Sequence, residues 1–451
     1  MNNNSQLTVT KPAVSRRDFL KTSSLVVGAA AVSMPYVLHA QAKQPMNAVV
    51  IGLGGRGGGA GKNFLDACKI VGVEGKIVAV ADLFPEAAMR GVKNYGVPEN
   101  MCFSGFDGYL KAINAPGVNY VIIATPPGFK APQFKAAIEA GKNVFTEKPV
   151  CTDGPGARMM LEAGKMADAK GLKVAAGTQR RHQAGYVDTI KRIQDGAIGD
   201  IVTLRAYWVN GGPIWHRGDN GATALEKQIR NWYHSIWLCG DHICEQHVHN
   251  LDVCNWVMGD KHPIKCWGQG SRQNLDDKRF GGPRSGEIWD NFAIEYEYEG
   301  GVRMFSYCGQ IKRTASSVSE SVAGTKGTSN PGGSISVKGG DRWRSTLKLA
   351  SGDAYTQEHV DLINAILDPK IVLNETKNVT ESTLTAIMGR EAAYSGGWVE
   401  WDQILNSKFQ YGPDLLYTDA SKMTFGDFRT LKAPMPSMHD ITKNPPIVQI
   451  A

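Results

Sequence analysis

The chain has 451 residues, 42% of them apolar and 21% charged, with a formal net charge of +7. That length suggests two domains plus extras, and the composition is that of an ordinary globular protein, not of a disordered or fibrous one. The first 42 residues hold much of the charge (Lys11, Arg16, Arg17 and Lys21 against Asp18), and no dense basic run follows, so nucleic-acid binding is not suggested.

The amino terminus reads as an export signal. SRRDFLK, Ser15 to Lys21, is followed by a mildly apolar run, Leu25 to Val32, and by AQA at Ala40 to Ala42. A charged region, a short apolar region and a small-x-small cleavage site make such a signal. Paired arginines before Phe19, Leu20 and Lys21 resemble the twin-arginine type. Residues 1–42 are therefore expected to engage the twin-arginine translocation machinery and be removed, leaving a periplasmic or secreted protein. The apolar run is too short to span a bilayer comfortably, and no other stretch qualifies, so the mature form is expected to have no membrane span. That route exports folded proteins. The eight scattered cysteines, with no C-x-x-C, are accordingly expected to be buried free thiols.

Next comes MNAVVIGLGGRGGG. Asn47 to Ile51 is predicted to be a buried parallel strand, and Gly52, Gly54 and Gly57 form G-x-G-x-x-G before an apolar-periodic helix. The first glycine permits the tight turn, the second lets pyrophosphate approach the backbone, and the third lets the helix pack close to the strand. The helix N-terminus then faces the phosphates, with Gly55 and Arg56 in the same turn. A second strand, Lys76 to Ala81, ends in Asp82, whose carboxylate can accept hydrogen bonds from the adenosine ribose and would repel a 2′-phosphate. NAD is thereby favoured over NADP; the plainer reading of Asp82 is a strand-end turn acid. Lys69 to Gly75 reads as an inserted loop. Strand Asn119 to Ala124, helix Ala131 to Ala140, a short strand running into Glu147, Lys148 and Pro149, and strand Leu172 to Ala176 continue the alternation. This predicts a doubly wound sheet with ligand at the strand C-termini, where Thr125, Pro126, Glu147 and Lys148 sit.

The ordered motifs GLGGRG, IIATPP, AGKNVFTEKP and GTQRRH, with ESTLTAIMGREAAYSGG far downstream, resemble the Gfo/Idh/MocA family of sugar oxidoreductases. The resemblance covers roughly Met46 to Gln403. It implies an α/β chain: a Rossmann domain over 46–177, then an α+β domain over 178–403 with an open, largely antiparallel sheet. The outer face of that sheet often packs against another subunit, so a homo-oligomer, dimer or tetramer, is expected. Residues 404–451 carry several prolines and read as an extended tail.

In the second half, helix Tyr186 to Asp195 precedes strand Ile201 to Val209. Strands Asn291 to Tyr298 and Val302 to Gln310 alternate apolar and polar residues. Thr325 to Ser334 reads as a turn or loop, and Glu381 to Ser395 as a helix. GDHICEQHVHNLD, Gly240 to Asp252, holds three of the ten histidines. By the resemblance, an acid four residues before a histidine precedes a helix ending in tryptophan and glycine. Counting back from Trp256 and Gly259 implies His249, with Glu245 as the acid where many relatives carry aspartate.

Histidine suits a general base because its pKa lies near neutrality. Lys148 can hydrogen-bond the same substrate oxygen and stabilise an alkoxide. His249 is expected as base, Lys148 as its partner and Glu245 as an orienting or assisting group. A metal held by His242, Glu245, His247, His249 and Asp252 is the rival reading; no distant ligand set is apparent, and no metal is expected. His242 and His247 stand evenly between structure and substrate. Asp252 reads rather as a helix or core contact. Arg180 or Arg181 is a candidate for touching substrate or cofactor, against an interdomain salt bridge. Trp215 and His216 suit a sugar face, against a plain surface loop, and Tyr233 suits one against core packing.

Outside the inner membrane no NADH pool comparable to the cytoplasmic one is expected. An exported Rossmann enzyme would then hold its dinucleotide and regenerate it in place. The favoured expectation is an oxidoreductase with tightly held NAD(H), acting on CH–OH groups of a sugar, sugar derivative or cyclitol. The alternative is an NAD-dependent glycoside hydrolase or lyase, in which transient oxidation of a ring hydroxyl acidifies the neighbouring C–H. A non-catalytic sugar binder is opposed by the retained Gly52, Lys148 and His249.

Overall fold

The computed structural model describes residues 44–210, 215, 217–218, 221–272, 286–311, 314–426, 430–431, 433–436, 439–443 and 447–448. The expected signal over 1–42 and the candidate His216 lie outside these.

Six strands form the first sheet: β1 (Met46–Ile51), β2 (Gly75–Asp82), β3 (Cys102–Ser104), β4 (Tyr120–Ile123), β5 (Asn143–Thr146) and β6 (Val174–Ala176). Their order is β3-β2-β1-β4-β5-β6, and every pairing is parallel. β1 and β4 are almost wholly buried, as a sheet covered on both faces requires. The order reverses between β1 and β4, which opens a crevice at their C-terminal ends.

The expected loop from Lys69 to Gly75 is shorter than predicted. The helix that follows the glycine turn runs Gly55–Val71, and Gly72 closes it at φ +72. A second revision concerns the domain boundary at 178–403. Helix Ala354–Leu367 returns to the first sheet, and its Val360, Leu362 and Ile363 pack in one cluster with Ala48, Val50, Phe64 and Tyr120. The domain that follows β6 is therefore not one uninterrupted segment.

The second sheet contains β7 (Ile201–Val209), β8 (Lys265–Ser271), β9 (Asn291–Glu297), β10 (Arg303–Gly309), β11 (Ser317–Gly324), β12 (Gly327–Asn330), β13 (Ser334–Val337), β14 (Arg342–Arg344) and β15 (Val399–Glu400). Their order is β14-β13-β12-β11-β7-β10-β9-β8-β15, antiparallel except where β10 runs parallel to β7. The stretch Thr325 to Ser334, predicted to be a loop, is mostly β12 and the tight turn into β13, because Thr328 and Ser329 find ladder partners in Ser336 and Ile335. One face of this sheet is covered by helices Val248–Val257 and Thr376–Ser395, burying Leu204, Ala206, Tyr296 and Met304. The other face exposes Trp267 and Tyr307. The tail is not simply extended: it holds the short helix Leu416–Asp419. No cysteine among the described residues is in a disulfide, and all but Cys102 are buried. No helix among the described residues is long and apolar enough to cross a membrane.

Candidate active site

A cavity of about 500 Å³ lies at the C-terminal ends of β1, β2 and β4 and continues against the second sheet. Its floor is the glycine turn. Gly52 sits at φ +92, and a Cβ there would lie 2.8 Å from the Ala124 carbonyl carbon. A Cβ on Gly57 would lie 1.7 Å from the Gly52 carbonyl oxygen, so the helix can approach only as glycine. Gly54 and Gly55 are different: a Cβ on either would meet nothing within 4 Å. Both line the cavity, whereas Gly57 does not. Two glycines thus make the turn, and two leave a bare backbone at a helix N-terminus, which is the cradle a pyrophosphate needs.

Asp82, at the end of β2, also lines the cavity. Its carboxylate accepts the backbone N–H groups of Leu53 at 2.7 Å and Phe84 at 3.1 Å. Burial raises its pKa and these bonds oppose the rise. Thr125 and Pro126 line the opposite wall, and Thr125 Oγ1 donates to Gln133 Oε1 at 2.6 Å. Arg56 reaches across the turn to Glu147 at 2.7 Å and stacks over Tyr355 at 4.7 Å. Glu147 is therefore neutralised by Arg56, which the sequence did not indicate. These residues fit a bound dinucleotide.

At the other end stand Lys148, Glu245 and His249, all lining the same cavity. Lys148 Nζ donates to the Glu245 backbone carbonyl and, at 3.3 Å, to Glu245 Oε1. Glu245 thus orients the Lys148 ammonium. Glu245 Oε2 accepts no hydrogen bond among the described residues, and burial raises its pKa. His249 stacks on Trp208 with ring centres 5.9 Å apart, and its Nδ1 has no partner among the described residues. Burial first, then Lys148 and Arg180, hold its pKa well below the ordinary histidine value, so the ring is neutral. Trp215 and Trp232, packed edge-on at 5.8 Å, line the same cavity as Trp208.

Sequence reasoning missed several of these. Trp208 comes from the inner face of β7, two residues beyond buried Ala206. Alternation could have found its face but not what that face looks onto. Lys130, in helix Pro127–Glu139, is buried and donates to the Lys148 and Pro149 carbonyls at 3.2 and 2.9 Å. Burial pulls its pKa down to about 8 against the attraction of Glu245 and Glu147.

Four candidates stand as their structural alternatives had it. Arg180 is ion-paired with Glu320, which also takes hydrogen bonds from Tyr186 and Asn250. Arg181 grips Asp252 through bonds of 2.9–3.1 Å and Asp260 at 2.9 Å. His247 is fully buried and bonded to Ser306 at 2.8 Å, its pKa pushed down to about 3 by burial. Tyr233 is buried, with its hydroxyl accepting from Gln310 at 3.2 Å. None of the four lines the cavity. Among the described sugar-face candidates, Trp215 lines the cavity.

Comparison with known proteins fits this geometry. Residues 46–178 match the family description "Oxidoreductase family, NAD-binding Rossmann fold", and residues 186–330 match "GFO/IDH/MocA C-terminal domain". An inositol 2-dehydrogenase of Klebsiella pneumoniae (strain 342) is 29% identical over 211 residues, 47% of this chain and 55% of that protein. One from Rubrobacter xylanophilus is 27% identical over 270 residues, 58% of this chain and 70% of that one. For the first relatives the match spans about half of their length. Among solved structures, levoglucosan dehydrogenase in complex with NADH and levoglucosan superposes with a TM-score of 0.64 at 17% identity, covering 79% of this chain and 99% of that one. The aldose-aldose oxidoreductase of Caulobacter crescentus does so with a TM-score of 0.60 at 20% identity, covering 79% and 99%. With both of the family's domains matched in order and the cradle built as described, this chain belongs to the Gfo/Idh/MocA oxidoreductase family, and its amino-terminal domain is that family's NAD-binding Rossmann domain.

Proposed function

We propose that this protein is an NAD-dependent oxidoreductase that oxidises a CH–OH group of a sugar, sugar derivative or cyclitol. The observation that carries this reading is one cavity shared by the Gly54–Gly55 cradle, Asp82, Lys148, Glu245 and His249. Gly52–Gly55, Asp82, Thr125 and Pro126 would hold the dinucleotide, which when bound supplies a hydride acceptor. The Asp82 carboxylate favours NAD, since a 2′-phosphate beside it would be repelled.

The rest falls to the chain's own side chains. Lys148 is already oriented by two bonds to Glu245, so its remaining donor can hold the substrate oxygen and stabilise negative charge on it. His249, neutral and with an unspent ring nitrogen, can take the hydroxyl proton. Its protonated form is disfavoured by burial first and then by Lys148 and Arg180. The unpartnered oxygen of Glu245 offers the proton a second acceptor four residues upstream. Trp208, Trp215 and Trp232 present apolar faces on which a pyranose or cyclitol ring can lie.

The export signal in the sequence supports a periplasmic setting, where the dinucleotide would be retained and recycled. The exposed Trp267 and Tyr307 face supports a homo-oligomer. The test is to incubate purified protein with a panel of sugars and cyclitols, with and without a second carbonyl compound, and to analyse products by mass spectrometry. Loss of two hydrogens from one substrate is the expected result. Hydrolysis of glycosides with no net redox change would replace this reading by the eliminative one.

A further inference from the structure

The cavity end that carries Asp82 is walled by residues from three parts of the chain. Leu83 and Phe84 follow β2, Gly105 and Phe106 follow β3, and Arg230 and Ala420 come from outside the first domain. Ala420 belongs to a carboxy-terminal segment that neither family match reaches. Five residues on, Phe425 stacks on Phe84 with ring centres 6.2 Å apart and meets Phe106 edge-on at 5.3 Å. Phe106 in turn tilts against Phe129 at 6.4 Å. The Arg230 guanidinium lies 3.8 Å from the Phe84 ring centre and pairs with Glu86 and Glu226, each at 2.9 Å. The segment is anchored near its start, where the Tyr411 hydroxyl donates to Glu391 at 2.9 Å.

We propose that residues 409–426 are part of the cofactor site, a strap whose Phe425 buttresses the adenosine wall and slows exchange of the dinucleotide. Phe84 and Phe106 line the cavity on one face and touch Phe425 on another. An adenosine passing between them must part rings that the strap and Arg230 hold together. The inference rests on NAD being the ligand and is independent of which alcohol is oxidised.

The experiment uses the full chain loaded with NADH and chased with excess NAD, following nicotinamide fluorescence, with no sugar present. Phe425→Ala, which removes the contacts with both Phe84 and Phe106, is expected to speed NADH loss roughly three- to tenfold, and Phe425→Leu, which keeps apolar bulk but no ring, is expected to fall between Ala and the parent. Hydrogen exchange on the unmodified protein gives a second readout, with amides of 409–426 expected to slow when NADH binds. An unchanged off-rate in a folded Phe425→Ala protein, or exchange in the strap indifferent to NADH, overturns the proposal. A failed sugar panel leaves both measurements untouched.

Discussion

At the scale of single residues the site divides into backbone that must stay bare and side chains that must stay paired. Gly57→Ala places a methyl 1.7 Å from the Gly52 carbonyl oxygen, so the turn must open. NADH affinity in a fluorescence titration is expected to fall at least about tenfold, a loss of the order of 1.4 kcal/mol. Lys148→Ala and His249→Ala remove the oxygen donor and the proton acceptor, and turnover on whichever substrate the panel identifies should drop roughly 10²- to 10⁴-fold with NADH binding retained. Full turnover by either variant would reject its assigned role. The glycine turn, Asp82 and the Glu147–Lys148 pair were legible in the sequence because their spacing follows from local geometry. Arg180 and Arg181 were left open between substrate and salt bridge because their partners, Glu320, Asp252 and Asp260, are between 71 and 140 residues away. No local pattern announces such a pair. Lys130 was hidden for a related reason: a lone cation in an otherwise apolar helix face reads as surface until the carbonyls it bonds are seen.

Among elements, helix Ala354–Leu367 has the largest effect on the fold for its length. It presents Val360, Leu362 and Ile363, each at most 1% exposed, to the face of the first sheet that helix Gly55–Val71 also covers. Leu362→Ala is expected to lower the unfolding free energy by about 2–5 kcal/mol in a urea titration, and to weaken NADH binding through the sheet it supports. Apolar runs marked the parallel strands other than β3, because burial on both faces leaves such a run continuous. Helix Ala354–Leu367 was not expected from the sequence, and an amphipathic face would in any case say that a helix is buried and not against what. The β12–β13 hairpin was taken for a loop because its glycines and serines lack the usual strand composition, and pairing overrode propensity.

Across the whole molecule the carboxy-terminal segment is fastened through Glu391, which also holds Arg390 at 2.7 Å. Burial would raise the Glu391 pKa, but Arg390 and His439 outweigh it and bring the value down to about 2. A depressed carboxylate contributes stability that is present above its unfolded value near 4.5 and disappears as pH falls through about 2. Thermal melts of the parent and of Glu391→Gln should therefore differ most near neutrality, where the variant leaves Arg390 without its counter-charge, and converge as the buffer is taken from pH 4.5 towards pH 2. Parallel curves across that range would mean that Glu391 does not hold the fastening. The return of helix Ala354–Leu367 has one more consequence. A fragment cut at Gly177 would leave the sheet surface around Ala48, Val50 and Tyr120 partly uncovered. Expressed alone it should aggregate, and a chimera that transplants the nucleotide half into a relative must take the distant helix with it or trade it for the host's own.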